Sequence, residues 1–263
     1  MNHPTTTADA RVFSPHGASA PASRDLLVES ALTIRLVGRT DVTVMRTPGN
    51  DRELVLGFLL TEGFIRSLDD MAVFEQCDDA NGDAVRVVLA DTAPTNTAAR
   101  GMLVGSSCSL CGRERIDAIL GEIAPVDSDT TFPVRSLAAV PRAMRTAQPL
   151  FERTGASHAA ALFDPDGALL VTREDIGRHN ALDKVIGNAL LTGLTRGACG
   201  AMLSGRASFE MVAKAARAGI PLVAAVSAPS ALAVETADQL NVTLCGFVRG
   251  ADFTCYARPE RLT

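Results

Sequence analysis

The sequence predicts an α/β protein whose main sheet is mixed and largely parallel, with a smaller N-terminal α+β part. Strand and helix patterns alternate through the last third of the chain, as they do in βαβ units. Nearly half of the 263 residues are apolar, which is enough for a sizeable core. Tryptophan is absent and tyrosine occurs once, so we expect a mainly aliphatic core.

Residues 1–25 are rich in Pro, Ser, Thr, Ala and Gly, a composition that predicts a disordered tail. They lack the basic start and the apolar run of a secretory signal. Residues 28–36 then alternate between apolar and polar positions, as a half-buried strand does, and residues 42–45 return as its partner. Residues 85–90 give another strand, and we therefore expect an N-terminal α+β subdomain over residues 26–105.

A helix is predicted between these strands. Asn50 followed by Glu53 is a weak variant of the capping box that begins helices. Apolar residues between 54 and 59 recur at helical spacing, and Gly63 is a residue type that commonly ends a helix.

Two cysteines lie three residues apart in the small-residue segment Ser106–Cys111. Only a thiolate is nucleophilic, and cationic neighbours or a helix N-terminus lower the pKa of a cysteine. Arg113 and Arg115 supply positive charge, and a helix is expected to follow. The pattern predicts a mobile loop over residues 106–113 with a reactive Cys108 or Cys111. A pair of half-buried small residues and half of a zinc site are the alternatives.

The α/β subdomain is predicted over residues 114–263. Helical patterns cover residues 114–123 and 136–153, and Asp164–Gly167 is a strong turn signal between two strands. An amphipathic helix is expected at residues 180–191. The alternation that follows comprises strands at 200–203, 220–226, 242–248 and 253–257, the last at the sheet edge, and helices at 208–218 and 230–240.

Ligands of open α/β sheets bind in the loops beyond the carboxyl ends of strands. Two such loops, Ser204–Arg206 and Ser227–Pro229, place small residues and hydroxyls just before a helix N-terminus, a setting suited to an anion. Ordinary helix capping is the structural alternative. Two further polar loops follow strands, and their charges are either solvated or directed at a ligand. These two loops contain Arg178 with His179, and Arg249, which is expected to grip a phosphate or to pair with Asp252.

Composition excludes several classes of protein. The formal net charge of −5 and the pI near 5.4 argue against a general nucleic-acid binder. No run of about 18 apolar residues occurs, so no membrane span is expected. Six cysteines are too sparse for a disulfide scaffold, and a cytoplasmic setting is expected. The glycine-rich signatures of P-loop NTPases and of Rossmann dinucleotide sites are absent from the sequence.

Zinc and disulfide reduction are the main alternatives for the cysteine pair. Structural zinc needs four ligands, and the other cysteines form no second close pair in the sequence. The Ser157–Ala160 segment has alanine where zinc deaminases have a catalytic glutamate, and the cysteines precede rather than follow its histidine. The absence of a strand directly before the pair weakens a thioredoxin-like role. We therefore expect no protein-bound zinc, and we expect Cys245, in an apolar strand, to be buried.

Six segments in a fixed order carry a resemblance. They are Glu53–Gly63, the CxxC loop, Glu174–Lys184, Leu203–Val212, Ser227–Glu235 and Leu244–Gly250. Over residues 28–262 the chain resembles the FdhD/NarQ family, the formate dehydrogenase accessory sulfurtransferases. The resemblance implies a cytidine-deaminase-like, three-layer α/β fold without zinc, usually in a homodimer.

The resemblance also implies a function. Family members take sulfane sulfur as a cysteine persulfide from a cysteine desulfurase, and transfer it to the molybdenum (or tungsten) bis-guanine-dinucleotide cofactor of formate dehydrogenase. By position, Cys108 corresponds to the persulfide-bearing residue and Cys111 to its assistant. Ser109 replaces a glycine that many relatives have. The family's cofactor-binding stretch corresponds to Phe247, Val248, Arg249, Gly250, Ala251 and Asp252.

Two other functions are compatible with the same fold. In one, the protein is a non-catalytic chaperone that binds and delivers the molybdenum cofactor while its cysteines only protect it. In the other it is an active deaminase, a reading that the missing glutamate contradicts. Besides the resemblance, the arginines beside helix starts give the physical reason to expect binding of a phosphate-rich ligand.

Overall fold

The computed structural model describes residues 3–15, 17, 19–39, 41–77, 83–94, 116–250 and 252–263. Cys108, Cys111 and Ala251 lie outside these described residues. The same holds for the start of the helix that was expected from residue 114. The predictions that concern the cysteine loop therefore stay predictions.

The N-terminal residues form a hairpin, which corrects the expectation of a disordered tail. Strand β1 (Thr5–Phe13) pairs antiparallel with β2 (Ser19–Leu27) in a separate two-stranded sheet. Because a two-stranded ribbon is marginal alone, contact with the rest of the chain matters. The ribbon receives that contact on β2, where Asp25 accepts hydrogen bonds from the Arg153 guanidinium at 2.9 and 3.0 Å.

A four-stranded sheet and one helix form the expected N-terminal α+β part. Strands β3 (Ser30–Leu36), β4 (Val42–Arg46), β5 (Met71–Cys77) and β6 (Ala84–Leu89) pair in the order β4-β3-β6-β5. Helix α1 (Asp51–Thr61) follows β4, and every residue from Leu54 to Thr61 is buried. Strand β5 did not appear in the sequence reading, and a 3₁₀ turn at Leu68–Asp70 leads into it.

The start of α1 is fixed by charge rather than by the predicted capping box. Asn50 precedes the helix with a left-handed backbone (φ 57°) and makes no side-chain cap bond. Glu53 instead pairs with Arg173, with Nε–Oε2 at 2.5 Å. The buried Arg46 binds Asp51 in the first turn at 2.9 Å and Asp83 at 2.7 Å. A buried guanidinium is stable here because both of its carboxylate partners are in place.

Three helices lie between this part and the main sheet in the described chain. The described part of α2 covers residues 116–121. The single helix expected at 136–153 is in fact two, α3 (Val134–Thr146) and α4 (Pro149–Thr154), separated at Ala147 and Gln148. Proline disfavours helical backbone in the preceding residue but suits the first helical position, which explains both the break and the restart at Pro149.

The main sheet has six strands in the order β12-β11-β10-β9-β7-β8. Only β9–β10 and β10–β11 pair in parallel, while the other three pairings are antiparallel. The sheet is therefore mixed, as expected, but not largely parallel. The reason is that hairpins, rather than crossover helices, add β8 and β12. The strands are β7 (His158–Phe163), β8 (Leu169–Asp175), β9 (Gly200–Leu203), β10 (Leu222–Ala225), β11 (Thr243–Arg249) and β12 (Asp252–Ala257).

Helices cover both faces of this sheet and complete a three-layer arrangement. Helix α5 (Arg178–Thr192) packs on β7 and β8, α7 (Ala231–Gln239) packs on β11, and α6 (Phe209–Arg217) contacts both of these helices. Helix α3 packs on the opposite face. Alternate residues of β7 point to the two sides: Ala160 and Leu162 belong to the core shared with α1 and α5, whereas Ala161 and Phe163 belong to the smaller core beneath α3.

The larger core is continuous with the four-stranded sheet, because it includes β3, α1, α5 and α6. Two 3₁₀ turns, Arg196–Ala198 and Pro259–Arg261, complete the described elements. The domain boundaries expected at residues 105 and 114 fall outside the described residues. None of the helices that the structure describes is long and apolar enough to cross a lipid bilayer.

Candidate functional site

Most of the predicted binding residues lie along one edge of the six-stranded sheet, which we call the carboxyl edge. Strands β8, β9, β10 and β11 all end there, and the antiparallel β7 begins there with His158. Loops after these strands therefore converge as the sequence predicted. In order along the edge they contribute Arg249 and Asp252, then Ser227, then Ser204, Gly205 and Arg206, then His158, and finally Arg178 and His179.

The loop after β9 is held close to the start of β7. The Ser204 backbone N–H donates to Ala159 O at 3.0 Å, and the Ser204 hydroxyl accepts from Ala159 N–H at 2.8 Å. Ser204 thus extends the sheet pairing instead of capping α6. A Cβ atom on Gly205 would lie 3.4 Å from both Cε1 and Nδ1 of the His158 ring, an ordinary van der Waals distance, so the loop backbone lies next to the imidazole.

His158 is a site residue that the sequence analysis considered only as an unlikely deaminase ligand. Its ring is half-buried, and burial lowers its pKa below the usual 6.5, helped by the positive charges of Arg178, His179 and Arg206. Asp175, its register partner on β8, acts in the opposite direction. His158 is consequently a neutral imidazole near pH 7, surrounded by cationic groups that favour an anion.

His179 is oriented by a carboxylate that the sequence analysis also missed. The Nε2 atom of His179 lies 2.7 Å from Oε2 of Glu210, in the first turn of α6. This hydrogen bond lowers the pKa of Glu210, and the charge of His179 adds to the effect. The pair joins the start of α5 to the start of α6, so the two helix N-termini are fixed relative to each other at the carboxyl edge.

Besides Nε2 of His179, whose only contact is the ion pair with Glu210, two polar atoms at this edge have no hydrogen-bond partner among the described residues. They are Nε of Arg178 and the hydroxyl of Ser208, and both atoms are buried. Ser208 occupies the N-cap position of α6 but makes no side-chain cap bond, contrary to the capping alternative. Buried polar atoms are nearly always satisfied in native proteins, so these two mark where an additional polar group would bind.

The β11–β12 hairpin forms the far end of the edge. The Arg249 Nε donates to Val226 O at 2.8 Å, and its guanidinium lies 5.7 Å from the centre of the exposed Phe247 ring. Arg249 and Asp252 are register partners across the turn at Gly250, whose φ is +76°. Val248 differs from the other predicted binding residues, because its side chain is fully buried in the core beneath α3 and only its backbone faces the edge.

Ser227 acts through its backbone. Its carbonyl accepts from Phe247 N–H at 3.2 Å, which ties the loop after β10 to the hairpin. Helix α7 is capped by Ser230 instead, whose hydroxyl accepts from Ala233 N–H.

The loop after β8 is anchored by Asp175, which is fully buried. Its Oδ1 accepts from the Gly177 N–H and from the Asn180 amide, both at 2.9 Å. Its Oδ2 lies 2.7 Å from Nζ of Lys184 and accepts from Thr47 N–H at 3.1 Å. The carboxylate therefore fixes the start of α5, and it positions Arg178 and His179 without being available to a ligand.

Within the described ranges, no group of three or more His, Cys, Asp and Glu side chains is arranged to hold a metal ion. Cys245 is buried within β11, as expected. Cys77, Cys199, Cys245 and Cys255 all have free thiols. Three arginines, two histidines and the N-termini of α5 and α6 lie along the carboxyl edge, and groups of these kinds favour anionic ligands.

Comparisons with known proteins show to which family the chain is similar. The model of the FdhD/NarQ family matches residues 27–263. The chain is 42% identical to the sulfur carrier protein FdhD of Anaeromyxobacter dehalogenans (strain 2CP-C), over 97% of this chain and 98% of that protein. It is 44% identical to the protein of the same name from Mycobacterium tuberculosis (strain ATCC 25618 / H37Rv), over 90% and 91%.

A solved structure is similar as well. It is the crystal structure of a protein described as a formate dehydrogenase accessory protein, from Desulfotalea psychrophila, with a TM-score of 0.80 and 26% identity over 98% of this chain and 99% of that one. The resemblance seen in the sequence is thereby confirmed, and the chain belongs to the FdhD/NarQ family.

Proposed function

We propose that this chain is a sulfurtransferase that serves formate dehydrogenase. It accepts persulfide sulfur from a cysteine desulfurase on Cys108 and transfers it to a molybdenum bis-guanine-dinucleotide cofactor bound at the carboxyl edge. The relatives' name, sulfur carrier protein, supports the first half of the proposal. We further propose that the protein works in the cytoplasm as a homodimer, as the family resemblance implies.

The carboxyl edge is the observation that carries the proposal for the acceptor. The chain as a whole is acidic, yet Arg178, His179, Arg206 and Arg249 lie along this one edge. A bis-guanine-dinucleotide cofactor carries several phosphates, which bind well to arginine side chains and to helix N-termini. The exposed Phe247 ring beside Arg249 gives a guanine base an aromatic face to contact.

The proposed sulfur transfer has two steps, loading of Cys108 and release of sulfide. The Cys108 thiolate attacks the outer sulfur of the desulfurase persulfide, and the desulfurase cysteine leaves as a thiolate. Cys108 now holds a zero-valent sulfur, whereas a metal sulfide needs that atom with two more electrons. Attack by the Cys111 thiolate on the inner sulfur of Cys108 supplies them. The outer sulfur then leaves as sulfide for the acceptor, and a Cys108–Cys111 disulfide remains.

Sulfur loading is tested by incubating the full chain with a cysteine desulfurase and cysteine, followed by mass spectrometry. We expect an addition of about 32 Da on the peptide that contains Cys108. Cys108→Ala should abolish it, and Cys111→Ala should retain it but stop release. Cys77→Ser is the matched control, because Cys77 is a half-buried thiol on the four-stranded sheet. A fully loaded Cys108→Ala protein would exclude Cys108 as the carrier.

Binding at the edge is tested by titration calorimetry with GDP. Loss of a hydrogen bond between an arginine and a phosphate costs about 1.5–3 kcal/mol, so Arg249→Ala should weaken binding by about 10- to 150-fold. Arg86→Ala is the matched control, because Arg86 lies on β6 and pairs with the exposed Glu75 at 2.9 Å. Equal affinity of the two variants for GDP would show that the nucleotide does not bind at the β11–β12 hairpin.

The second candidate is the cofactor chaperone without sulfur transfer. The carboxyl edge supports this function as well, because binding of the cofactor there does not require a persulfide on Cys108. It predicts normal GDP binding, no sulfur adduct on Cys108 after desulfurase treatment, and formate dehydrogenase maturation in cells that produce only the Cys108→Ala variant. The loading experiment therefore separates the two functions.

A further inference from the structure

A second pair of cysteines lies close together in the fold, apart from the CxxC loop. Cys245 on β11 and Cys255 on β12 are register partners across the antiparallel pair. Residues directly opposite in such a pair have Cα atoms about 4.5 or 5.5 Å apart, and disulfides form over about 4.4–6.8 Å. A register pair of this kind therefore falls within the Cα separation that a disulfide spans.

The two side chains also share one face of the sheet. Both belong to the smaller core beneath α3, Cys245 as a fully buried member and Cys255 as a partly buried one packed against it. The register shifts just beyond the pair, so that Tyr256 is the extra residue of a bulge on the edge strand. Both thiols are free in the structure.

The two thiols differ in reactivity. The Cys255 Sγ donates to Ala257 O at 3.3 Å, and the side chain is reached by solvent. A hydrogen bond with the Cys245 thiol lowers the pKa of Cys255 to about 7. The same hydrogen bond and burial raise the pKa of Cys245. Cys255 is therefore the nucleophile of the pair and Cys245 the protected second thiol.

We propose that Cys245 and Cys255 are a redox-active thiol pair, which small-molecule disulfides convert into a cross-strand disulfide. The proposal goes beyond the sulfur-carrier function and does not depend on it. It rests on the register of the two residues, on their shared face and on the access to Cys255 from solvent.

The reaction consumes one small-molecule disulfide. The Cys255 thiolate attacks one of its sulfur atoms, and half of the reagent leaves as a thiolate. Cys245 then loses its proton and attacks the sulfur of Cys255, so that the other half leaves. The protein gives up two electrons and two protons, and the reagent becomes two thiols. The new bond joins β12 to β11 two residues before Phe247, at the base of the hairpin that carries Arg249.

The test uses the full chain with both loop cysteines replaced, Cys108→Ser/Cys111→Ser, because those thiols would react as well. The folded protein is incubated with oxidised glutathione, alkylated, digested and analysed by mass spectrometry. We expect a loss of about 2 Da, with the peptides of Cys245 and Cys255 linked. Cys77 and Cys199 are the internal controls, because they show how thiols outside the pair react with glutathione. Cys199 should remain reduced, since it is buried and burial raises its pKa.

Two single variants separate the steps. Cys245→Ser should stop at a glutathione adduct on Cys255, and Cys255→Ser should leave Cys245 unmodified because it is sealed in the core. An unreactive Cys255 in the folded protein would overturn the proposal. So would a glutathione adduct on Cys255 that persists while Cys245 is present, because the second thiol would then be unable to reach the first. Sulfur loading of Cys108 is measured separately, so failure here leaves the proposed function untouched.

Discussion

The contact between α1 and α5 gives a sharp prediction about stability. The two helices pack with their backbones touching, and both contribute a glycine, Gly57 and Gly187. A Cβ atom at Gly187 would lie 1.8 Å from the carbonyl oxygen of Glu53 and 2.9 Å from the backbone nitrogen of Gly57. A carbon and a carbonyl oxygen normally approach to about 3.4 Å, so Gly187→Ala requires the helices to separate by about 1.6 Å.

Two effects of opposite sign contribute to the free energy of unfolding. Alanine is better than glycine inside a helix by about 1 kcal/mol. Overpacking a core costs about 1–3 kcal/mol, and the upper end applies because the opposing atoms are backbone, which cannot rotate away. We therefore expect Gly187→Ala to destabilise the protein by about 2 kcal/mol. In chains of this size that loss lowers the melting temperature by roughly 4–8 °C.

Urea unfolding followed by far-UV circular dichroism is the assay, since the chain has no tryptophan to report by fluorescence. Gly121→Ala is the matched control. Gly121 is an exposed helical glycine in α2, and a Cβ atom there would meet nothing within 4 Å. It should leave stability unchanged or raise it by up to about 1 kcal/mol. If Gly187→Ala were as stable as Gly121→Ala, the close helix contact would not exist in solution.

Two more predictions concern buried charge and pH. Asp183→Asn removes the carboxylate that lies 2.9 Å from the buried Nζ of Lys214, and should destabilise the protein by about 3 kcal/mol in urea unfolding, because only Glu62 would remain to balance that ammonium. A cost below about 1 kcal/mol would mean that Glu62 alone is enough to balance the ammonium of Lys214. The second prediction concerns His158, whose lowered folded pKa means that the unfolded chain binds its proton first as pH falls. The contribution of the neutral imidazole to the free energy of unfolding is fully present above its usual pKa of 6.5. This contribution is lost as the pH falls towards the pKa of the folded state. The urea midpoint of His158→Gln should therefore fall less between pH 7 and 5.5 than that of the unchanged protein, and parallel profiles would contradict this.

Periodicity predicted the parts of the fold that have one buried and one exposed face, or that are buried throughout. The strands from β7 to β12 and the helices between them follow the expected order. Strands β1 and β2 were not predicted, because most of their residues are exposed and no apolar alternation marks them. Strand β5 was not predicted for a similar reason: it lies at the edge of the four-stranded sheet, and buried and exposed residues do not alternate regularly along it. Pro149 was a usable signal for the break between α3 and α4.

The candidate site was predictable only where its residues follow strands. The rule that ligands bind beyond the carboxyl ends of strands found Arg178, Arg206 and Arg249. It did not find His158, because β7 runs in the opposite direction and brings its first residue to this edge. Glu210 was hidden in a helix, and its contact with His179 depends on how α5 and α6 pack. No sequence pattern indicates such a packing contact.

The hydrogen bonds of Thr47 limit which homologues can be recombined into a stable chimera. Thr47 donates to Asp175 at 3.1 Å and accepts from Ile176 N–H at 3.1 Å, while its carbonyl accepts from Lys184 at 3.0 Å. A chimera that joins the first half of one homologue to the second half of another would have to match all three bonds. Recombination within the family should therefore succeed best between parents that agree at Thr47, Asp175 and Lys184.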